Sequence, residues 1–257
     1  MREVHQETKI NPAQAAQWST PTDNPYYPPL PAHYRNLKLQ FVFFRADSSS
    51  VGRLLPAPLE PAEDGDCVAC GLDAPFTSSY GQFQEAFTLL KCTFRGKTGW
   101  YCSHVFHNGP AGIAAGREVY GTPKIWSDLS VRQTDRMMVT TAHMGGLPAI
   151  TVATVMDDYC ERANMPSLTP SWRLKLIPRA DGPGPAIKQL IDCADVAKDM
   201  KVHQMMKGSG TVHFDASPMC DLTGLKPIEY SDAFYMVSSF AEDYARIEYD
   251  YLTDGQP

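Results

Sequence analysis

The 257-residue chain carries 29 acidic and 23 basic side chains, for a formal net charge of −6, and is 43% hydrophobic and 20% charged. Charges of both signs are mixed along it, with no Lys/Arg cluster to follow a phosphate backbone, which argues against nucleic acid as a partner. No apolar run approaches the roughly 20 residues needed to cross a bilayer, which argues against a membrane span.

The first stretch, with Arg2, Glu3, His5, Glu7 and Lys9, lacks the apolar core of a secretory signal, so a cytoplasmic protein is expected. The seven cysteines, at positions 67, 70, 92, 102, 160, 193 and 220, are an odd set without small-scaffold spacing and read as reduced thiols. Residues 1–35 hold Pro12, Pro21, Pro25, Pro28, Pro29 and Pro31 and predict an extended arm, which Tyr26 and Tyr27 could pin to the body or to another subunit. Residues 36–257 read as a single domain.

Within that domain, short β-branched and aromatic runs alternate with turn residues. They predict strands at Leu37–Phe44, Phe87–Phe94, Trp100–Phe106, Ser127–Val131, Met138–Met144, Trp172–Ile177, Ala197–His203 and Gly210–Phe214, with a late stretch from Ser231 to Tyr251. Helical signals are few: Ser48–Leu55, capped by Ser48 and Ser49, and the small-residue stretch Ala111–Glu118. The pattern predicts a mainly β (α+β) fold of barrel type, with an antiparallel sheet and a few peripheral helices.

The most informative segment is Gly116-Arg117-Glu118-Val119-Tyr120-Gly121-Thr122-Pro123-Lys124. It places a lysine after a turn-forming Thr-Pro pair and before the apolar Ile125-Trp126. By composition alone, such a lysine is a solvated surface residue. Pressed into an apolar site, an amine loses hydration of its charged form, which favours the neutral form that attacks carbonyl carbon.

Further segments stand beside it: Phe44-Arg45-Ala46-Asp47, Pro56-Ala57-Pro58-Leu59-Glu60, Trp172-Arg173-Leu174-Lys175-Leu176-Ile177-Pro178 and Ala245-Arg246-Ile247-Glu248-Tyr249-Asp250-Tyr251-Leu252. Together, over nearly the whole chain, these segments resemble the acetoacetate decarboxylase superfamily. The resemblance implies a closed, cone-shaped β-barrel with Lys124 inside it as a Schiff-base amine, and assembly into a homo-oligomer. It matches Glu85, in Phe83-Gln84-Glu85, to one pocket glutamate and puts the other near Cys70. Arg35 aligns with the arginine that holds a substrate carboxylate. Ile125 stands where the family has a second lysine, so apolar surroundings would have to activate the amine. Arg117 and Glu118 are expected to form a structural ion pair. Tyr101, His104 and Val105, on the strand leading to the motif, are further candidates for the cavity wall, alongside Ile125.

The resemblance implies a lyase that needs no cofactor and acts on a small-molecule keto acid, most simply by decarboxylating a β-keto acid through a Lys124 imine, as in a tailoring step of secondary metabolism. Aldol or dehydration chemistry on the same imine is one alternative, and a non-catalytic barrel holding a small ligand is the other. Cys67-x-x-Cys70 with His104-x-x-His107 suggests zinc, but residues i and i+3 of a strand face opposite ways, so no metal site is expected. No Gly-x-Ser-x-Gly elbow or phosphate-binding loop occurs.

Overall fold

The computed structural model describes residues 18–217 and 219–254. Its elements run β1 (Ala32–Arg45), α1 (Ser48–Leu54), β2 (Glu60–Pro61), β3 (Asp66–Ala74), β4 (Phe83–Phe94), β5 (Lys97–His107), α2 (Pro110–Ala115), a π-helical turn (Gly116–Tyr120), β6 (Lys124–Trp126), β7 (Asp128–Thr134), β8 (Met137–Met144) and β9 (Leu147–Tyr159). They continue with β10 (Ser171–Pro178), β11 (Pro185–Asp192), β12 (Ala197–Phe214), a small ribbon of β13 (Ala216–Ser217) and β14 (Cys220–Asp221), β15 (Glu229–Glu242) and β16 (Arg246–Asp250).

Alternating apolar residues drive these strands. In β8, Met138, Thr140, Ala142 and Met144 are buried while their neighbours are not, the period of a strand with one face on a core. The short helices start at identifiable signals. Asp47 caps α1 by accepting the Ser50 N–H at 2.9 Å, one residue earlier than the serines expected from sequence. Pro110 opens α2, where its missing N–H is no loss.

Fourteen strands join one sheet, in the order β16-β11-β10-β5-β4-β3-β1-β15-β12-β9-β8-β7, with β2 on β4 and β6 on β5. Among the described residues this path does not close: β16 and β7 each end it without a further partner. The expectation of a mainly β fold with few helices is met, and the sheet curls over itself without the closure expected of a barrel among the described residues. β7, β8 and β9 lie back across β3 and β4, and Phe44, Phe106, Ile150, Val152 and Leu222 fill the space between. On the opposite face of β3 and β4, Phe41, Val68, Cys70, Leu89 and Val105 form a second core that leads up to the cavity described below.

Of the predicted arm, residues 1–17 lie outside the described residues. Its remainder packs down through Tyr27 and Leu30, both buried, and β1 takes over at Ala32. Tyr26 is exposed, so Tyr27 does the pinning, donating its hydroxyl to Glu118 Oε2 at 2.5 Å. All seven cysteines are free thiols, and Cys67 and Cys70 fall in the cores on opposite faces of the sheet. No helix among the described residues is long and apolar enough to cross a membrane.

Candidate active site

Three adjacent strands set the site by register. β4 pairs antiparallel with β5 so that Glu85 lies opposite His107, and β5 pairs in parallel with β6 so that Val105 lies beside Lys124. Residues two apart share a face, so Glu85, His107 and Lys124 all project to the same side. Lys124 Nζ lies 3.0 Å from Glu85 Oε2, both side chains nearly buried, and 5.5 Å from the centre of the Phe83 ring.

The segment before Lys124 is held by close backbone packing. The π-helical turn closes with the Gly121 N–H on the Gly116 carbonyl, and single π turns of this kind recur at functional sites. Gly121 has φ +71° and presses on the Lys175 backbone of β10, where any side chain would collide. A Cβ on Gly116 would meet Lys124 Cδ at 2.7 Å and Cε at 2.9 Å, so the lysine stem runs directly over that glycine. Arg117 and Glu118 do not pair with each other as expected. Arg117 Nη1 donates to the Lys124 carbonyl at 3.1 Å, fixing the backbone that carries the amine, and Glu118 accepts from Tyr27.

His107 is fully buried and stacked on Phe83, with ring centres 4.3 Å apart. Its Nδ1 accepts the Gly109 N–H at 2.7 Å, so in the neutral ring the proton sits on Nε2. That atom has no hydrogen-bond partner and faces Glu85 Oε2 at 3.7 Å. Burial, helped by the Lys124 charge, pushes the His107 pKa down to about 2. A neutral histidine therefore backs the carboxylate. The ring fits because a Cβ on Gly112 would come within 2.8 Å of it.

These groups open into a cavity of about 200 Å³. Its floor and sides are apolar, with Leu37, Leu39, Leu72, Phe83 and Phe87 among them, and Gly112, Gly116 and Tyr120 cover it from the helical side. The far wall comes from β1 and β15. Tyr34 stacks on Phe240 with centres 4.7 Å apart and donates its hydroxyl to Glu242 Oε2 at 3.1 Å. Desolvation pushes the Glu242 pKa up against the pull of Lys124, Tyr34 and Arg173. Arg173, from β10, and Cys193 complete the polar lining, and burial pushes the Cys193 thiol up.

Lys124 and Glu85 thus meet in the cavity, while the other sequence candidates do not line it. Arg35 is exposed, its guanidinium 5.1 Å from the centre of the Phe76 ring. Ile125 pairs with Phe106 and packs into the core on the opposite face, because neighbouring residues of a strand point apart. A bulge at Ser103, where the β4–β5 register slips between Thr88 and Leu89, changes the parity of β5. It sends Tyr101 into a core with Phe94 and Trp172. His104, three residues before His107 in the same register, lies on the face away from Glu85, half-buried, its pKa lowered by desolvation. Val105 is on the cavity's face but deeper, in the core with Cys70. Sequence reasoning missed Tyr34, Tyr80, Arg173 and Glu242 as cavity residues, and His107 as the buried group behind Glu85. A glutamate at the end of an apolar strand and an arginine directly after a tryptophan were the available signals.

The sequence matches the family described as acetoacetate decarboxylase (ADC) over residues 15–252. Acetoacetate decarboxylase 2 of Mesorhizobium japonicum is 26% identical over 99% of this chain and 95% of its own length. A solved acetoacetate decarboxylase superposes with a TM-score of 0.85 at 24% identity, covering 92% of this chain and 97% of that one. The enduracididine biosynthesis enzyme MppR, solved with the condensation product of pyruvate and imidazole 4-carboxaldehyde, is similar in fold, with a TM-score of 0.75 at 18% identity over 90% of this chain and 95% of its own.

Proposed function

Because the chain belongs to the acetoacetate decarboxylase family, we propose that it is a lyase in which Lys124 forms an imine with a keto acid, and that the reaction is decarboxylation of a β-keto acid. One observation carries this reading: a lysine amine inside a cavity walled largely by apolar side chains, 3.0 Å from a carboxylate that can take and return its proton. Nζ in its neutral form attacks the keto carbon. The carbinolamine loses water, and the protonated imine draws the electron pair of the bond to the carboxylate carbon as CO2 leaves. The enamine that remains takes a proton at carbon, and water then releases the ketone. Glu85 is the group within reach of Nζ for the proton movements of imine formation and hydrolysis.

The cavity, about 200 Å³, is smaller than the roughly 300–1,000 Å³ of drug-sized sites. That supports a small keto acid over a larger intermediate of secondary metabolism. A second reading, condensation or dehydration on the same imine, draws on the similarity in fold to MppR with its condensation product, and on Ile125 in place of a second lysine.

The test is borohydride reduction in the presence of keto acids, read by intact mass. Wild type should gain a reduced adduct, and evolution of CO2 from a β-keto acid separates decarboxylation from condensation. Lys124→Arg should form no adduct and turn over nothing, because arginine cannot lose its proton or make the imine. Substantial turnover by a folded Lys124→Arg protein would remove the covalent mechanism.

A further inference from the structure

The cavity holds four ionisable side chains besides its phenols and thiol, and they do not balance as two pairs. Lys124 and Glu85 face each other at 3.0 Å. Arg173 and Glu242 do not: among the described residues no ion pair involves Arg173. Its Nη1 donates to Ser171, to Oγ at 3.2 Å and to the carbonyl at 3.4 Å, and the guanidinium also bonds the Cys193 thiol, so its partners are neutral groups or a thiol rather than a carboxylate. Glu242 is instead engaged by the Tyr34 hydroxyl, and desolvation favours its neutral form. One guanidinium is left lining a small cavity with donors free for another partner.

We propose that Arg173 is the carboxylate anchor of the substrate, the role that the sequence resemblance gave to Arg35. The proposal rests on the reading of Lys124 as an amine that condenses with a keto acid. It adds where the acid group sits: against Arg173 of β10, which lines the same cavity as the amine on β6. Three features favour it. Trp172 is buried in the core with Tyr101 and Phe94, so strand alternation turns Arg173 to the cavity side. A guanidinium presents a planar fork that matches a carboxylate with two parallel bonds. Burial strips hydration from the guanidinium, and an anionic substrate in direct contact offsets that cost where a neutral ketone does not. Arg35, exposed and stacked on Phe76, has no such geometry.

The test separates the anchor from the amine. 3-Hydroxybutanoate carries the carboxylate of a four-carbon keto acid but no carbonyl, so it reads the anchor without imine formation. Acetone carries a carbonyl but no charge, so borohydride trapping of acetone reads Lys124 alone. By ligand-observed NMR titration, Arg173→Met should bind 3-hydroxybutanoate at least about tenfold more weakly than wild type, the loss expected for a charge-assisted hydrogen bond. Arg173→Lys, which keeps the charge and loses the fork, should fall between the two, and it carries the test if the methionine variant does not fold. Acetone trapping should be within about twofold of wild type in both variants.

Equal 3-hydroxybutanoate affinity in wild type and variants, or no binding by wild type, overturns the anchor. So does loss of acetone trapping in the variants, which would make Arg173 a support of the amine. Failure of wild type to trap either acetone or a keto acid would sink the imine reading instead, and the titration would still judge the anchor.

Discussion

Replacing Gly116 by alanine places a methyl group 2.7 Å from Lys124 Cδ and 2.9 Å from Cε. Carbon atoms rest at about 3.5–4.0 Å, so one of the two must yield by about 1 Å. The glycine backbone cannot, because it closes the π-helical turn through its carbonyl and has ordinary right-handed helical angles, φ −60° and ψ −41°. The lysine stem can. The fold should therefore tolerate the change, with helix propensity returning up to about 1 kcal/mol. The amine should lose its place beside Glu85, and a displacement of this size at a reacting atom costs about 100-fold in rate, or about 2.7 kcal/mol of barrier. The assay pairs thermal unfolding with the rate of borohydride trapping at saturating keto acid. The expected result is an unfolding temperature equal to or above that of wild type, with trapping slowed by about two orders of magnitude. Trapping at the wild-type rate in a folded Gly116→Ala protein would show that the stem has room to pass the methyl, and the argument that this glycine positions the amine would fail.

His107 makes stability depend on acidity in a stated direction. Its folded pKa is held down at about 2 against the usual 6.5, so its contribution is present above pH 6.5 and is lost as pH falls, when the unfolded chain takes up a proton that the folded one refuses. Between pH 6.5 and 5 the loss is roughly 2 kcal/mol, readable by urea unfolding. His107→Gln should lack that slope, and an unchanged slope in the variant would assign the acid sensitivity elsewhere. Glu242, raised by burial, acts with the opposite sign: its neutral form supports the fold below the normal carboxylate range, and that support is lost as pH rises. Ile125→Lys should cost about 1–3 kcal/mol of stability by placing an ammonium against the Phe106 core. The pH profile of adduct formation should stay where it is, since residue 125 faces away from Nζ. A displaced acidic limb in a folded variant would contradict the alternation of β6.

The sequence made the chemistry-bearing lysine legible because its segment is local: a helical turn, a Thr-Pro turn and a short strand within nine residues. Glu85 was legible for the same reason, through its aromatic neighbour Phe83. The rest of the cavity is assembled across long separations, with Tyr34 and Glu242 brought together by the β1–β15 pairing and Arg173 arriving from β10. No local pattern marks such meetings. The choice among Tyr101, His104 and Val105 depended on strand parity, and one unpaired residue at Ser103 reverses parity for everything on its far side. Strand existence was easier to read than strand extent. The predicted Ala197–His203 and Gly210–Phe214 are two ends of the single 18-residue β12, whose middle, with Gln204, Lys207 and Gly208, lacks the β-branched residues that mark a strand. The strands β9 and β11 were not predicted, and β3 was read as strand-like only at Cys67–Cys70. β3 is buried along almost its whole length, so it shows little alternation, and β11 opens on Pro185, which reads as a turn.

Among the described residues the unclosed sheet leaves two rims of backbone donors and acceptors, one along β7 and one along β16, each a template on which a stray extended peptide could zip. Both rims are guarded by charge. β7 carries Asp128 and Arg132, and β16 reads Arg246, Ile247, Glu248, Tyr249, Asp250. On β16 the charges are already committed: Arg246 reaches Asp192 and Glu248, both at 2.8 Å, and Lys97 reaches Glu248 at 3.2 Å. A strand added at that rim would have to strip water from a bound cluster of ions before gaining its first ladder bond.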